Sequence, residues 1–221
     1  MNRRQPPSDF SKRVCPVDSA APDSALIGRA ADLINAGRLV VFPTRSLYGI
    51  GADIYQPDAV SRVFKAKRRA ADKPISLLIR SESQLNDLAA EVPDTARRLM
   101  DRFWPGLITL VFTAQPAVPS ALTGNFGKIG IRMPAHPVAA ALLSELAHPI
   151  TGTSANLSGQ PGCAEISDLA AEIGKEMVMI LDAGPLAGGV GSTVVDVTTT
   201  PPTVLREGPV SETDIRNCLK E

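Results

Sequence analysis

Cations crowd one short stretch of this chain. Between Arg62 and Lys73 stand Arg62, Lys65, Lys67, Arg68, Arg69 and Lys73 against the single acid Asp72, although the 23 basic and 23 acidic residues of the whole protein cancel. A local excess of this kind suits a bound anion, phosphate first, since Arg grips phosphate through a planar fork and Lys acts as a point charge. Lys67 and Arg69 lie two apart, so on an uninterrupted helix they would face different ways. Both can serve one anion only if the helix has ended there and the backbone has opened. The same cations would equally suit a solvated helix C-terminus, where positive charge meets the negative end of the helix dipole. Spacing alone leaves both readings open.

A second set of residues consists of small polar groups and cations placed at the ends of apolar runs. Thr44 follows Leu39-Val40-Val41-Phe42, Arg132 closes the run from Ile129, and Ser154 and Asn156 follow Pro149-Ile150-Thr151. Ser192 and Arg206 lie beside the last apolar runs. Strand ends that open into polar loops are where α/β sheets hold ligands. Ser154 and Asn156 are also ordinary turn residues, so a plain turn is the competing reading. Several familiar sites are absent. Gly184 to Thr193 imitates a phosphate loop but has Val190 where the lysine belongs, and no G-x-G-x-x-G follows the first strand. Gly152-Thr153-Ser154 lacks the second glycine of a nucleophile elbow. His136 and His148 each sit before or near proline with no metal spacing around them, and both read as turn or capping residues.

The elements that must carry these residues alternate between the two periodicities. Helices are expected from Ser24 (Leu26, Ile27, Ala30, Leu33 and Ile34 inward, Gly37 as the stop), from Asp58 as a cap, over Glu82 to Ala90, Asp94 to Phe103 and Val138 to Leu146, after Ser167 as a cap, and from Ser211 in a capping box with Asp214. Strands are expected at Leu39 to Phe42, Ile75 to Ile79, Leu107 to Phe112, Ile129 to Met133, Val178 to Leu181, Thr193 to Val197 and Val204 to Arg206, with a Pro/Gly-rich loop from about Gln115 to Gly127. The order implies a single α/β domain, a twisted mixed sheet flanked by helices, over residues 23–221. Residues 1–22, with four prolines and little apolar content, read as an irregular tail, and deletion of residues 1–20 is expected to leave folding intact. With 44% apolar residues the chain can fill a core. Cys15, Cys163 and Cys218 are too scattered for a disulfide framework or a cysteine zinc site. No apolar run approaches a membrane span, no leader pattern follows the N-terminal cations, and a cytoplasmic location is expected.

Seven segments in order carry a resemblance. They are Pro43-Thr44-x-x-x-Tyr48-Gly49, Phe64-x-x-Lys67-x-Arg69-x-x-x-x-Pro74-Ile75, Phe103-Trp104-Pro105-Gly106, Arg132-x-Pro134-x-His136-Pro137, Thr153-Ser154-Ala155-Asn156-x-Ser158-Gly159, Ser192-Thr193-Val194-Val195-Asp196 and Leu205-Arg206-x-Gly208. Together, from about residue 24 to 210, they resemble the YrdC/TsaC family of threonylcarbamoyl-AMP synthases in its short, single-domain form. The resemblance implies a concave, positive cleft and a nucleotidyltransferase that joins L-threonine, bicarbonate and ATP into threonylcarbamoyl-AMP with release of pyrophosphate. Transfer proteins would then receive the product for the t6A modification of tRNA. By the same resemblance Lys67 and Arg69 serve catalysis and hold ATP, Asn156 and Arg206 lie on the nucleotide side, and Thr44, Arg132, Ser154 and Ser192 meet the threonine or its carbamoyl group. Mg²⁺ is expected with ATP, its ligands unknown. Arg45, Ala70, Gly191, Glu207 and Gly162-Cys163-Ala164 depart from the common family pattern. Two alternatives remain beside the synthase: a related carbamoyl-adenylate enzyme, and a non-catalytic module binding RNA weakly through the basic island.

Overall fold

The computed structural model describes residues 10–124 and 126–220. In chain order the elements are β1 (Val14–Pro16), α1 (Ser24–Asn35), β2 (Val40–Pro43), β3 (Tyr48–Gly51), α2 (Pro57–Lys67), β4 (Leu77–Leu78), α3 (Leu85–Leu88), α4 (Asp94–Phe103) and β5 (Ile108–Thr113). They continue as α5 (Ser120–Thr123), β6 (Lys128–Arg132), α6 (Pro137–Ser144), β7 (Ile150–Thr151), β8 (Thr153–Ser154), α7 (Ala171–Glu176), β9 (Met179–Asp182), β10 (Thr193–Asp196), β11 (Thr203–Arg206) and α8 (Glu212–Lys220).

The strands make two mixed sheets, one ordered β1-β9-β2-β3-β8 and the other β11-β10-β5-β6-β4-β7. A single stretch joins them. Ile150 pairs with Leu78 in the six-stranded sheet, while Ser154, four residues later, pairs with Gly49 in the five-stranded one. Gly152 makes the crossing because its backbone passes so close to Leu78 that a Cβ would lie 2.9 Å from that side chain. The α/β architecture agrees with the pattern of alternating periodicities. Its division at Gly152 is invisible to that pattern.

Helices α1 and α6 cover the outer face of the five-stranded sheet through Ile27, Ala30, Ile34, Val138 and Leu142, which pack with Val40, Phe42 and Met179. The larger core gathers Tyr48, Ile50, Val60, Val63, Leu99, Leu110, Phe112 and Ile131. Local signals place the helix ends. Asp23 accepts from the Leu26 amide at 2.7 Å and Gly37, at φ 73°, closes α1 with amide bonds from Gly37 to Ile34 and from Arg38 to Leu33. At α8 the capping box forms in both directions, Asp214 amide to Ser211 Oγ at 3.1 Å and Ser211 amide to Asp214 Oδ2 at 3.1 Å.

Five expectations need correction. Residues 10–16 are ordered: Ser11–Arg13 form a 3₁₀ turn, Val14–Pro16 pair in parallel with Ile180–Asp182, and Phe10 is 1% exposed within the core. The remainder of the predicted tail before Phe10 lies outside the described residues. Gln56, with Pro57 at the first helical position, caps α2 in place of Asp58, which sits in the first turn. The stretch Glu82 to Ala90 divides into a 3₁₀ turn at Glu82–Gln84 and the one-turn α3. Ser167 lies inside a 3₁₀ turn and bonds Glu165, so α7 starts later, behind Ala170. The strand expected over Ile75 to Ile79 is reduced to Leu77–Leu78, wedged between β6 and β7.

Candidate active site

Where the two sheets separate beside Gly152, a cavity of about 500 Å³ opens. Every residue that the resemblance assigned to the site borders it: Thr44, Lys67, Arg69, Arg132, Ser154, Asn156, Ser192 and Arg206. They arrive from both sheets. Thr44 follows β2, Arg132 ends β6, Ser154 ends β8, and Arg206 ends β11.

The basic island divides between the two readings its spacing left open. Lys67 is the last residue of α2, and Arg68 takes up the left-handed conformation at φ 49°. Amide bonds from Arg68 to Lys65 and from Arg69 to Phe64 close the helix there, so Arg69 leaves it in a new direction. Arg68 points to solvent and meets Glu172 at 3.4 Å, whereas Lys67 is only 2% exposed. The solvated-helix-end reading therefore describes Lys65 and Arg68 but not Lys67. The ammonium of Lys67 donates to the carbonyls of Ser154 and Asn156, the second at 2.7 Å. Burial, then the nearby Arg69, brings its pKa down to about 8.

The three guanidinium groups are held by backbone carbonyls. Arg69 donates to Lys73 O at 3.1 Å and Pro74 O at 2.6 Å. Arg132 donates to Gly106 O at 2.8 Å, which gives the Phe-Trp-Pro-Gly segment a role in aiming it. Arg206 donates twice to Ser192 O, at 2.7 and 3.1 Å. Among the described residues none of the four cations forms an ion pair with a carboxylate, and no Asp, Glu or His borders the cavity. The charges press on one another. Arg132 falls to about 10 through burial and then Arg206, and Arg69 is lowered by the same two causes in the same order. A cluster of cations without counter-charge is a site for a polyanion.

Hydroxyl and amide groups line the rest. Thr44 Oγ1 donates to Leu47 O at 2.6 Å and fixes the turn after β2. Ser154 Oγ donates to Asn156 Oδ1, and the Asn156 amide donates to Leu157 O at 2.9 Å and Gln160 O at 2.7 Å. Asn156 thus organises its own loop, and through the carbonyls of that loop it seats Lys67. Ser192 Oγ lies 2.6 Å from Thr109 Oγ1. Thr109 and Ser76, which also border the cavity, escaped the sequence reading because they stand in apolar runs where they read as strand residues. The two histidines lie outside this cavity. His136 caps α6 through Nδ1, as expected, while His148 is paired with the buried Asp53 at 3.0 Å, an ion-pair geometry its turn-like context did not suggest. The departing Arg45 is exposed, and a Cβ at Gly191 would come within 3.0 Å of Arg206.

Comparison with known proteins assigns the chain and its fold to one lineage. A family model for Sua5, YciO and YrdC, described as "Telomere recombination", matches residues 32–208. The chain belongs to the Sua5/YciO/YrdC family. Within this family it is 41% identical over 192 residues to a threonylcarbamoyl-AMP synthase of Pyrococcus abyssi, covering 87% of this chain and 56% of that protein. It is 40% identical over 204 residues to a putative threonylcarbamoyl-AMP synthase of Mycobacterium tuberculosis, covering 91% of this chain and 94% of that one. The crystal structure of P. abyssi Sua5 complexed with L-threonine superposes with a TM-score of 0.87 at 38% identity, over 93% of this chain and 60% of that chain. The Sua5/YciO/YrdC chain described here thus spans little more than half of the archaeal relative and nearly all of the mycobacterial one. No described helix is long and apolar enough to cross a membrane.

Proposed function

We propose that this chain is a threonylcarbamoyl-AMP synthase, a nucleotidyltransferase acting on ATP, L-threonine and bicarbonate. The observation that carries the reading is the convergence of Lys67, Arg69, Arg132 and Arg206, without a carboxylate, on a cavity edged by Thr44, Ser154, Thr109 and Ser192. The Pyrococcus relative solved with L-threonine supports the amino-acid half of the assignment. The threonine amine and bicarbonate first give a carbamate and water. A carbamate oxygen then attacks the α-phosphorus of ATP, and the bond to the bridging oxygen breaks, so that its electron pair leaves with pyrophosphate. Both reactants are anions. What the protein must supply is charge neutralisation and alignment, and no side-chain nucleophile is required.

In this reading Lys67, Arg69 and Arg206 face the triphosphate. Arg132, with the hydroxyls of Thr44, Ser154 and Ser192, receives the carboxylate and carbamate of threonine, and Asn156 holds the loop that seats Lys67. Mg²⁺ would come with ATP. The cavity offers it no carboxylate, and no group of three or more His, Cys, Asp or Glu among the described residues is placed to hold a metal. Its ligands would then be phosphate oxygens and water. The product is a mixed anhydride and so reactive toward nucleophiles, which calls for direct hand-over to proteins that transfer the threonylcarbamoyl group to tRNA. The alternative RNA-binding use of the basic island loses Lys67, which is buried.

Pyrophosphate release by the purified protein with ATP, Mg²⁺ and bicarbonate, with and without L-threonine, tests the proposal. Release requiring both threonine and bicarbonate is expected. Release indifferent to threonine would transfer the site to other adenylate chemistry, and no release with intact ATP binding would refute the synthase.

A further inference from the structure

Thr109 Oγ1 and Ser192 Oγ face each other at 2.6 Å in the cavity wall, and both residues are buried, at 2% and 7% exposure. A hydroxyl has one proton to donate and two lone pairs to receive. Among the described residues the Thr109 hydroxyl has no hydrogen-bond partner besides Ser192. Either hydroxyl can donate across this contact, and both residues border the cavity, so one of the two protons is engaged between them and the other is left for the cavity. Arg206 Nη2 reaches the same Ser192 oxygen at 3.4 Å, and a guanidinium can only donate. Ser192 is the more open of the two and its oxygen also faces the Arg206 donor, so donation from Thr109 is the arrangement that leaves the Ser192 proton for the cavity. The strand register builds this arrangement. Thr109 and Arg206 flank Val194 on either side, and Ser192, two residues before Val194, shares its face of the sheet.

We infer that Thr109 is a positioning residue that fixes Ser192 as a hydrogen-bond donor toward an anionic oxygen of the bound substrate. Resting on the function proposed above, that oxygen belongs to the carboxylate or carbamate of threonine. Arg206, held mainly by Ser192 O, faces the triphosphate and approaches the serine oxygen only at its edge.

The test is Thr109→Val, which removes the hydroxyl and keeps a β-branched shape suited to a strand, with Thr109→Ser as the rescue. L-threonine and ATP–Mg²⁺ are titrated separately by calorimetry, and the melting temperature of the unliganded protein is recorded. Thr109→Val should weaken L-threonine binding about tenfold, the loss of one well-oriented hydrogen bond to a charged group. ATP affinity and melting temperature should stay close to wild type, and Thr109→Ser should recover threonine binding. Wild-type threonine affinity in Thr109→Val would overturn the inference. So would a parallel loss of both ligands with a lowered melting temperature, the signature of a merely structural role. A wild-type protein that binds ATP but not L-threonine would instead overturn the threonine reading and carry the inference down with it.

Discussion

Lys67 is the residue whose environment makes the sharpest prediction. Its pKa of about 8 against the ordinary 10.5 corresponds to roughly 3 kcal/mol by which the unliganded fold disfavours the ammonium. Two dependences of opposite sign result. An unfolded lysine keeps its proton up to 10.5, so between about 8 and 10.5 the unfolded chain holds more protons than the folded one, and stability rises with pH across that window. A bound triphosphate favours the charged form, so its affinity must fall over the same window. At pH 9 about nine tenths of a group with pKa near 8 is neutral, which predicts roughly tenfold weaker ATP binding than at pH 7. Arg132, lowered only to about 10, stays charged there. The measurement is a calorimetric titration of ATP–Mg²⁺ at pH 7, 8 and 9, with chemical denaturation of the unliganded protein at each pH, for wild type and Lys67→Met. The variant should bind ATP weakly at all three values and show neither slope. An ATP affinity in wild type that is flat from pH 7 to 9, or that falls equally in Lys67→Met, would refute the assignment of Lys67 to the phosphates. The ammonium would then serve only to tether the loop of Ser154 and Asn156.

Arg69→Ala should lower kcat/KM by about a hundredfold, since the side chain faces charge that develops in the transition state, and steady-state pyrophosphate release reads it. Arg68 is the one non-glycine residue at positive φ among the described residues. Arg68→Gly removes that strain and forfeits only an exposed contact with Glu172, so a gain of about 0.5–1 kcal/mol in denaturant unfolding is expected. Phe10→Ala should cost about 3 kcal/mol, because the ring is fully buried; for a chain of this size the melting temperature would drop by about 6–12 °C. Gly152→Ala places a methyl 2.9 Å from Leu78 at the junction of the sheets and should destabilise by about 1–3 kcal/mol, with ATP binding reduced as the cavity wall shifts.

The C-terminal end of α1 and the start of α8 were legible because the residues that make them, Gly37, Ser211 and Asp214, act within a few positions of their partners. The turn that frees Arg69 was legible only as a condition: two cations two residues apart could serve one anion only past a helix end, and Arg68 supplies that end. What the local pattern missed depends on chain far away. Val14 to Pro16 become a strand only because Ile180 to Asp182 lie alongside, and three residues with a proline carry no periodicity of their own. Strands of two residues, such as Leu77–Leu78 and Thr153–Ser154, are likewise imposed by their neighbours. Lys67 shows the principle at the site. By composition it reads as one more exposed cation, and its burial is tolerable only because the carbonyls of Ser154 and Asn156, some 87 to 89 residues onward, accept its protons. That pairing ties the end of α2 to the stretch that changes sheets at Gly152, so the cation, the loop and the cavity form as one unit. The two motifs that stood out separately in the sequence, Lys67-x-Arg69 and Ser154-Ala155-Asn156, are therefore halves of a single contact.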